Sequence, residues 1–355
     1  MTRRRLVFLL VFTLLVTALF NIQLLQIASG DHHGDAAAAV SSEDTVCVEN
    51  RFAGRLKPSA VVTMVVAPKS LRRMGLSERD ANRLRFVMQT WVTVPGANFV
   101  VVSNDCPLLK LAAQYGLSTF RLAGNTTAAL GIPVRRLLTI AQNAIPAVTP
   151  LVGFCNSDIM FDASLERTLR ALIGHAAKQQ WDNLFVTGRR INVDGELVVT
   201  SERSVEERLA TLLGDVPAKG QLFQDDAQDY FVLTRSTPLV FACLPRFVVG
   251  GIVFDNWLTG LANSHPLVNS VDATATLSAV HINHGTHRHE SQQSFLSNIN
   301  RGVLLDNPYS RGRTTDCPWR AAPSAGGSVA VVPGAIHPPD RMEPFTNYVA
   351  CAAKR

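Results

Sequence analysis

Leu151-Val-Gly-Phe-Cys-Asn-Ser-Asp-Ile-Met-Phe161 is an apolar run that meets two carbonyl-bearing side chains, Asn156 and Asp158, and then turns apolar again. A strand of a parallel sheet, buried on both faces, reads this way. In open α/β sheets ligands sit beyond the carboxyl ends of such strands. Two residues apart in extended chain, Asn156 and Asp158 place two oxygen ligands on one side. That suits a hard divalent cation carrying a diphosphate, because Mg²⁺ and Mn²⁺ take a few oxygen ligands plus substrate phosphates. The plainer alternative is a polar loop, with Asp158 capping a following helix.

Upstream, Val61–Ala67 reads as a strand ended by Pro68. Leu76–Val92 has helical spacing with Ser77 as N-cap, and Phe99-Val-Val-Val-Ser-Asn-Asp105 is a second strand with a polar end. Pro107–Tyr115 fits a helix with Pro in its first turn and Gly116 after it. A further helix spans Val134–Ala144. This β-α-β-α-β order predicts a parallel sheet with right-handed crossovers. Downstream, Leu184–Gly188 leads into Arg189-Arg190, Val205–Leu213 has helical spacing, Gly214–Gln224 reads as a loop, and Asp229–Thr234 is an apolar strand. Residues 301–355, rich in Pro, Gly and Arg, read as an irregular tail.

At the N-terminus, residues 1–5 carry Arg3, Arg4 and Arg5 as a short cytosolic tail. Residues 6–28 form an apolar signal-anchor, long enough to cross ~30 Å of hydrocarbon. The arginines set a single-pass type II orientation with the chain's bulk in the lumen; a cleaved signal peptide is the alternative. Residues 29–57 read as a flexible polar stem. A domain over 58–300 follows. The short anchor points to a Golgi or endoplasmic reticulum membrane, and Asn125-Thr-Thr is a glycosylation sequon. The net charge of +6 falls to +3 without the three N-terminal arginines. No basic stripe with interleaved aromatics appears, which argues against nucleic acid. Of six cysteines, Cys155 and Cys243 sit in apolar runs as buried thiols, and Cys317 and Cys351 are the disulfide candidates.

Three further polar clusters flank apolar strands: Gln228-Asp229; Val249-Gly-Gly-Ile-Val-Phe-Asp-Asn-Trp-Leu258; and His281-Ile-Asn-His284. In this order with the Asn-Ser-Asp run, they resemble the GT-A fold glycosyltransferases that use nucleotide-diphospho-sugars. The resemblance covers roughly residues 58–290. It implies a mixed, mostly parallel sheet flanked by helices, and transfer of a sugar from a nucleotide-sugar donor to a glycan or glycoconjugate acceptor with Mn²⁺ or Mg²⁺. Asp158 would bind the metal, with Asn156 in place of the commoner first Asp. His281 would complete the metal or phosphate site. Gly250 and Gly251 would form the loop that approaches the acceptor, with Asn256 beside it. Asp255 would take the acceptor's proton in an inverting enzyme, and Trp257 would stack on a sugar.

From the residues themselves, Asp229 is a second catalytic candidate, against simple pairing with an arginine such as Arg189. Asn104 and Asp105 are donor-binding candidates or the end of a strand. Arg135, at a helix start against the dipole, points to an anionic partner or to a solvated face. Two other readings compete: an inactive binding protein of the same fold, kept open by Asn156, and a zinc hydrolase built on His281, His284, His287 and His289.

Overall fold

Every residue of Val62–Val66 and Leu151–Cys155 is buried, as continuous apolar runs demand of strands covered on both faces. The computed structural model describes residue 52 and residues 56–68, 78–122, 131–283, 294–335 and 342–355. The expected anchor, the stem to residue 51, Asn125, His284, His287 and His289 lie outside the described residues. Within them no helix is long and apolar enough to cross a membrane.

Strands β1 (Val62–Val66), β2 (Ala97–Ser103), β3 (Ser118–Arg121) and β4 (Leu151–Cys155) stand in the order β3-β2-β1-β4, all parallel. The order reverses between β1 and β4, so the Asn156–Asp158 turn leaves the sheet at a topological switch point. The sheet continues through β9 (Tyr230–Thr234), β6 (Leu184–Thr187), β10 (Asn269–Asp272), β12 (Trp319–Pro323) and β13 (Val329–Pro333). β9 and β13 run antiparallel to their neighbours; the rest are parallel. A second, four-stranded sheet has the order β5 (Ile159–Phe161), β11 (Ala279–Ile282), β7 (Ile191–Val193) and β8 (Gln221–Leu222). The Asn-Ser-Asp turn joins the two sheets, so a strand follows Asp158 and no helix waits for it to cap.

Alternation along β1 sends Val62, Met64 and Val66 to one core and Val65 to the other. The first core is covered by α1 (Glu78–Thr93), α2 (Cys106–Gln114), α4 (Ser164–Gln179) and α6 (Val205–Lys219). Leu165, Leu169, Leu172 and Ala176 of α4 bury one helical stripe. The second core lies under α3 (Val134–Thr139), its π-helical extension Ile140–Ala144, and α7 (Phe254–Ser264). Two short helices, α5 (Glu196–Val199) and α9 (Thr346–Ala352), and α8 (Phe295–Leu305) complete the fold. Gly153 is required between β4 and β9: a Cβ there would lie 2.6 Å from the backbone Phe231 O and 2.5 Å from Met64 Sδ.

Three expectations are corrected. α6 continues through Gly214 to Lys219, because its apolar face, with Leu209 and Leu212 buried, continues past Leu213. Residues 301–355 are no irregular tail: β12 and β13 extend the main sheet, and α9 packs Tyr348 into the second core. The tail is also fastened covalently. Cys351 bonds Cys243, not Cys317, which is buried and free like Cys155. Cys106 is disulfide-bonded as well.

The Cys243–Cys351 link closes 108 residues. Cys351→Ser should therefore lower the stability by about 2–4 kcal/mol, read as an earlier urea midpoint. The substitution tests this bond alone, whereas a reductant would also open the one at Cys106.

Candidate active site

β4 delivers Asn156 and Asp158 to the rim of the main sheet, β11 delivers His281, and β7 stands beside β11 in the small sheet. Asn156 is tied to the residue preceding β9: its backbone N–H donates to Asp229 O (2.8 Å) and its Nδ2 to Asp229 Oδ1 (2.8 Å). This explains the asparagine. An aspartate there would set a second carboxylate against the buried carboxylate of Asp229.

Asp229 Oδ1 also accepts from Arg190 at 2.8 Å, with the Asp229 side chain 4% exposed. Burial pushes the Asp229 carboxyl up, the Arg190 charge draws it down, and Asp158 pushes it up again. The pairing partner is thus Arg190 rather than Arg189. Arg190 Nε donates to Asn192 Oδ1 (2.9 Å), and the same oxygen faces His281 Nδ1 at 3.0 Å. An oxygen that accepts from arginine can only accept from the imidazole, so Nδ1 carries the proton. Nε2 then presents its lone pair to Asp158 Oδ2 at 3.4 Å. Two lone-pair atoms held face to face call for a positive species, a proton on Nε2 or a cation. The Asp158 side chain is 41% exposed and that of His281 6%, so solvent reaches the pair from one side.

One carboxylate and one oriented imidazole fit a hard ion that keeps waters and phosphate oxygens as further ligands. They do not make a closed structural zinc site, and among the described residues no three His, Cys, Asp or Glu side chains converge on one point.

Asp255 completes the cluster. It lies in the first turn of α7 rather than at its N-cap, which is Val253. Its Oδ2 accepts from the backbone N–H of Gln228 (3.3 Å), next to Asp229. Burial pushes the Asp255 carboxyl up to about 7; the Asn256 N–H draws it down and the Asp229 charge pushes it further up. Asp255 Oδ1, Asp229 Oδ2 and Gln228 Oε1 are buried acceptors with no hydrogen-bond partner among the described residues. Three such oxygens on neighbouring residues are costly unless a ligand supplies donors or charge.

The loop before α7 is rigid. Gly250 has φ +87° and Val253 φ +71°; a β-branched residue in that region stores about 1–3 kcal/mol. Asn300 of α8 holds it by accepting from Val248 N (2.8 Å) and donating to Val248 O and Ile252 O (3.0 Å each).

Several expectations need correction here. A Cβ on Gly251 would meet Leu296 O at 2.5 Å and Asn300 Nδ2 at 2.6 Å, so the close approach is to α8 and not to an acceptor. Trp257 is 2% exposed and packs among Phe247, Phe345 and Tyr348; no ring face is left for a sugar. Asn256 spends its amide on Asp226 O (2.7 Å) and Gly312 O (3.1 Å). Asp105 caps α2, accepting from Leu108 N at 3.5 Å, which removes it from the donor set; Asn104 stands half-buried at the end of β2. Arg135 lies in α3, whose entry pairs with the strand-like Phe247–Val249 segment, and no contact joins it to the cluster. Asn192 went unnoticed in the sequence. Its signal is the alternation Arg190-Ile-Asn-Val193, which puts Arg190 and Asn192 on one face.

No family model and no curated protein matches the chain. Among solved structures it is similar to glucosyl-3-phosphoglycerate synthase from Mycobacterium tuberculosis, described in complex with Mg²⁺ and uridine diphosphate. That match has 13% identity and a TM-score of 0.38, over 81% of this chain and 92% of the other. A 4-diphosphocytidyl-2C-methyl-D-erythritol synthase from Anaerococcus prevotii matches at 9% identity and TM-score 0.30, over 52% and 75% of the two chains. S. aureus TarS in complex with UDP-GlcNAc matches at 18% and 0.23, over 38% and 36%. Likenesses this distant assign neither substrate nor residue roles, so the functional reading rests on the cluster itself.

Proposed function

We propose that the chain is a glycosyltransferase that moves a sugar from a nucleotide-diphosphate donor to a glycan or glycoconjugate acceptor with a divalent cation, Mn²⁺ or Mg²⁺. The observation that carries this is the approach of Asp158 Oδ2 to His281 Nε2 (3.4 Å) at the switch point between β1 and β4. Asp158 and His281 would hold the cation. Once bound, it stabilises negative charge on the departing diphosphate. Asn192 and Arg190 hold the imidazole through Nδ1, with Nε2 turned toward Asp158. Asp255 Oδ1 takes the proton of the acceptor hydroxyl as that oxygen bonds the anomeric carbon and the bond to the diphosphate breaks, an inverting course. A carboxyl near pKa 7 is a competent base at neutral pH.

The apolar segment 6–28 and the Arg3–Arg5 cluster support a type II anchor in the Golgi or endoplasmic reticulum. The Cys243–Cys351 bond supports an oxidising lumen for the rest of the chain.

The test is thermal unfolding of the purified full chain with UDP or GDP, with and without Mn²⁺. A rise in midpoint that needs both nucleotide and metal, and that disappears in Asp158→Ala, is the expected result. Absence of any nucleotide effect in the wild-type chain would sink the reading.

A further inference from the structure

Arg189 and Arg190 are neighbours with opposite fates. Arg190 turns into the cluster and pairs with Asp229. Arg189 turns away, into a cavity of about 480 Å³ beyond the carboxyl ends of β6 and β10 and beside the first residues of β12. Arg320, just past the start of β12, and Thr274, Thr315 and Asp272 share that cavity. Arg189 donates through Nη1 to Phe223 O at 3.4 Å, while its Nε is buried without a hydrogen-bond partner among the described residues. Neither Arg189 nor Arg320 forms an ion pair among the described residues. The single carboxylate, Asp272, turns its Oδ1 to the N–H (2.9 Å) and hydroxyl (2.5 Å) of Thr274. Burial pushes that carboxyl up, while the Thr274 hydrogen bonds and the charges of Arg189 and Arg320 draw it down. Ile191, Val216 and Leu222 form an apolar wall opposite.

The cavity adjoins the cluster at two points. Arg189 precedes Arg190, and the Thr315 hydroxyl donates to Asp225 Oδ2 (3.0 Å), three residues before Gln228. We infer that this cavity is an anion subsite that takes a phosphate or carboxylate of the acceptor between Arg189 and Arg320, with a neighbouring apolar part of the acceptor on Ile191, Val216 and Leu222. Guanidinium groups suit this task because they bind either oxyanion through paired N–H donors. That the occupant is the acceptor rests on the transferase reading; that the cavity binds an oxyanion does not.

Thermal unfolding of the full chain is titrated with inorganic phosphate and, separately, propionate, at constant ionic strength set by chloride. A saturable rise is expected with at least one probe, and the stronger identifies phosphate or carboxylate as the group recognised. Arg320→Gln, at an exposed position, should weaken that response about tenfold or more, and Arg189→Gln should do the same. Asp158→Ala should leave it intact, since that residue lies in the other site. No saturable response to either probe, an equal response in both arginine variants, or loss of the response in Asp158→Ala would overturn the inference. A phosphate response that persists where UDP and GDP have no effect would uphold the subsite while removing the transferase reading.

Discussion

On the proposed transferase reading, Asp255→Asn should lower kcat by about 10²- to 10⁴-fold, while nucleotide- and metal-dependent stabilisation should persist because Asp158 and His281 are untouched. The amide keeps an oxygen to accept from Gln228 N–H, so the loop before α7 keeps its fastening. The wild-type rate should rise with pH through about 7 as the carboxyl ionises, a limb that the variant lacks. Stability moves the other way. The folded pKa lies above the unfolded value of 3.8, so the folded chain holds a proton that the unfolded chain has lost between those two pH values. Folding stability therefore falls as pH rises from about 4 to 7, by at most about 4 kcal/mol, and less in practice because water reaches the edge of this partly exposed residue. The asparagine carries no such cost. Urea midpoints of variant and wild type should coincide near pH 4 and separate by pH 8, with the inactive variant the more stable. A variant that loses activity with equal stability at both pH values would show that Asp255 is not a strained buried carboxylate.

Much of this site was legible in the sequence because burial on both faces leaves a clear trace. Leu151–Cys155 and Val62–Val66 are apolar at every position, and the polar residues that break such runs are the ones the fold carries to the sheet's rim. Asn156, Asp158, Asp229, Asp255 and His281 come from four stretches of the chain, yet each is a polar break in or beside an apolar segment. Direction was not legible. Tyr230–Thr234 is apolar like β4 and β6 on either side of it, so nothing in it says that β9 runs antiparallel to them. Nor were β12 and β13, whose short Pro-bounded segments lie at the sheet's edge, where partial exposure weakens the pattern. Trp257 misled because an indole reads alike whether it faces a sugar or Phe345; the deciding fact, α9 docked by Cys243–Cys351, comes from a residue far along the chain. Arg190 and Asn192 were hidden for a related reason. Their importance lies in whom they touch, and those partners are set by the pairing of β7 with β11.

Arg190→Met tests that pairing most severely. It leaves the Asp229 carboxylate buried without its counter-charge, which costs about 3–5 kcal/mol. Without the guanidinium, Asp229 is pushed further up in the folded state, so the loss should be larger at pH 8 than at pH 5, where the carboxyl is free to take a proton. Urea unfolding at the two pH values reads this directly. Activity should vanish too, for a second reason. Asn192 Oδ1 no longer accepts from Arg190, its amide is free to flip, and His281 loses the contact that keeps Nε2 open toward Asp158. The double variant Arg190→Met, Asp229→Leu separates the two effects. With both charges gone, two apolar side chains replace a buried ion pair, and most of the stability should return. The rate should not, because Asn156 has then lost Asp229 and the imidazole has lost its anchor. If activity returned along with stability, the Asp229–Arg190–Asn192–His281 chain would be packing alone, and the case for an oriented imidazole at Asp158 would fall with it.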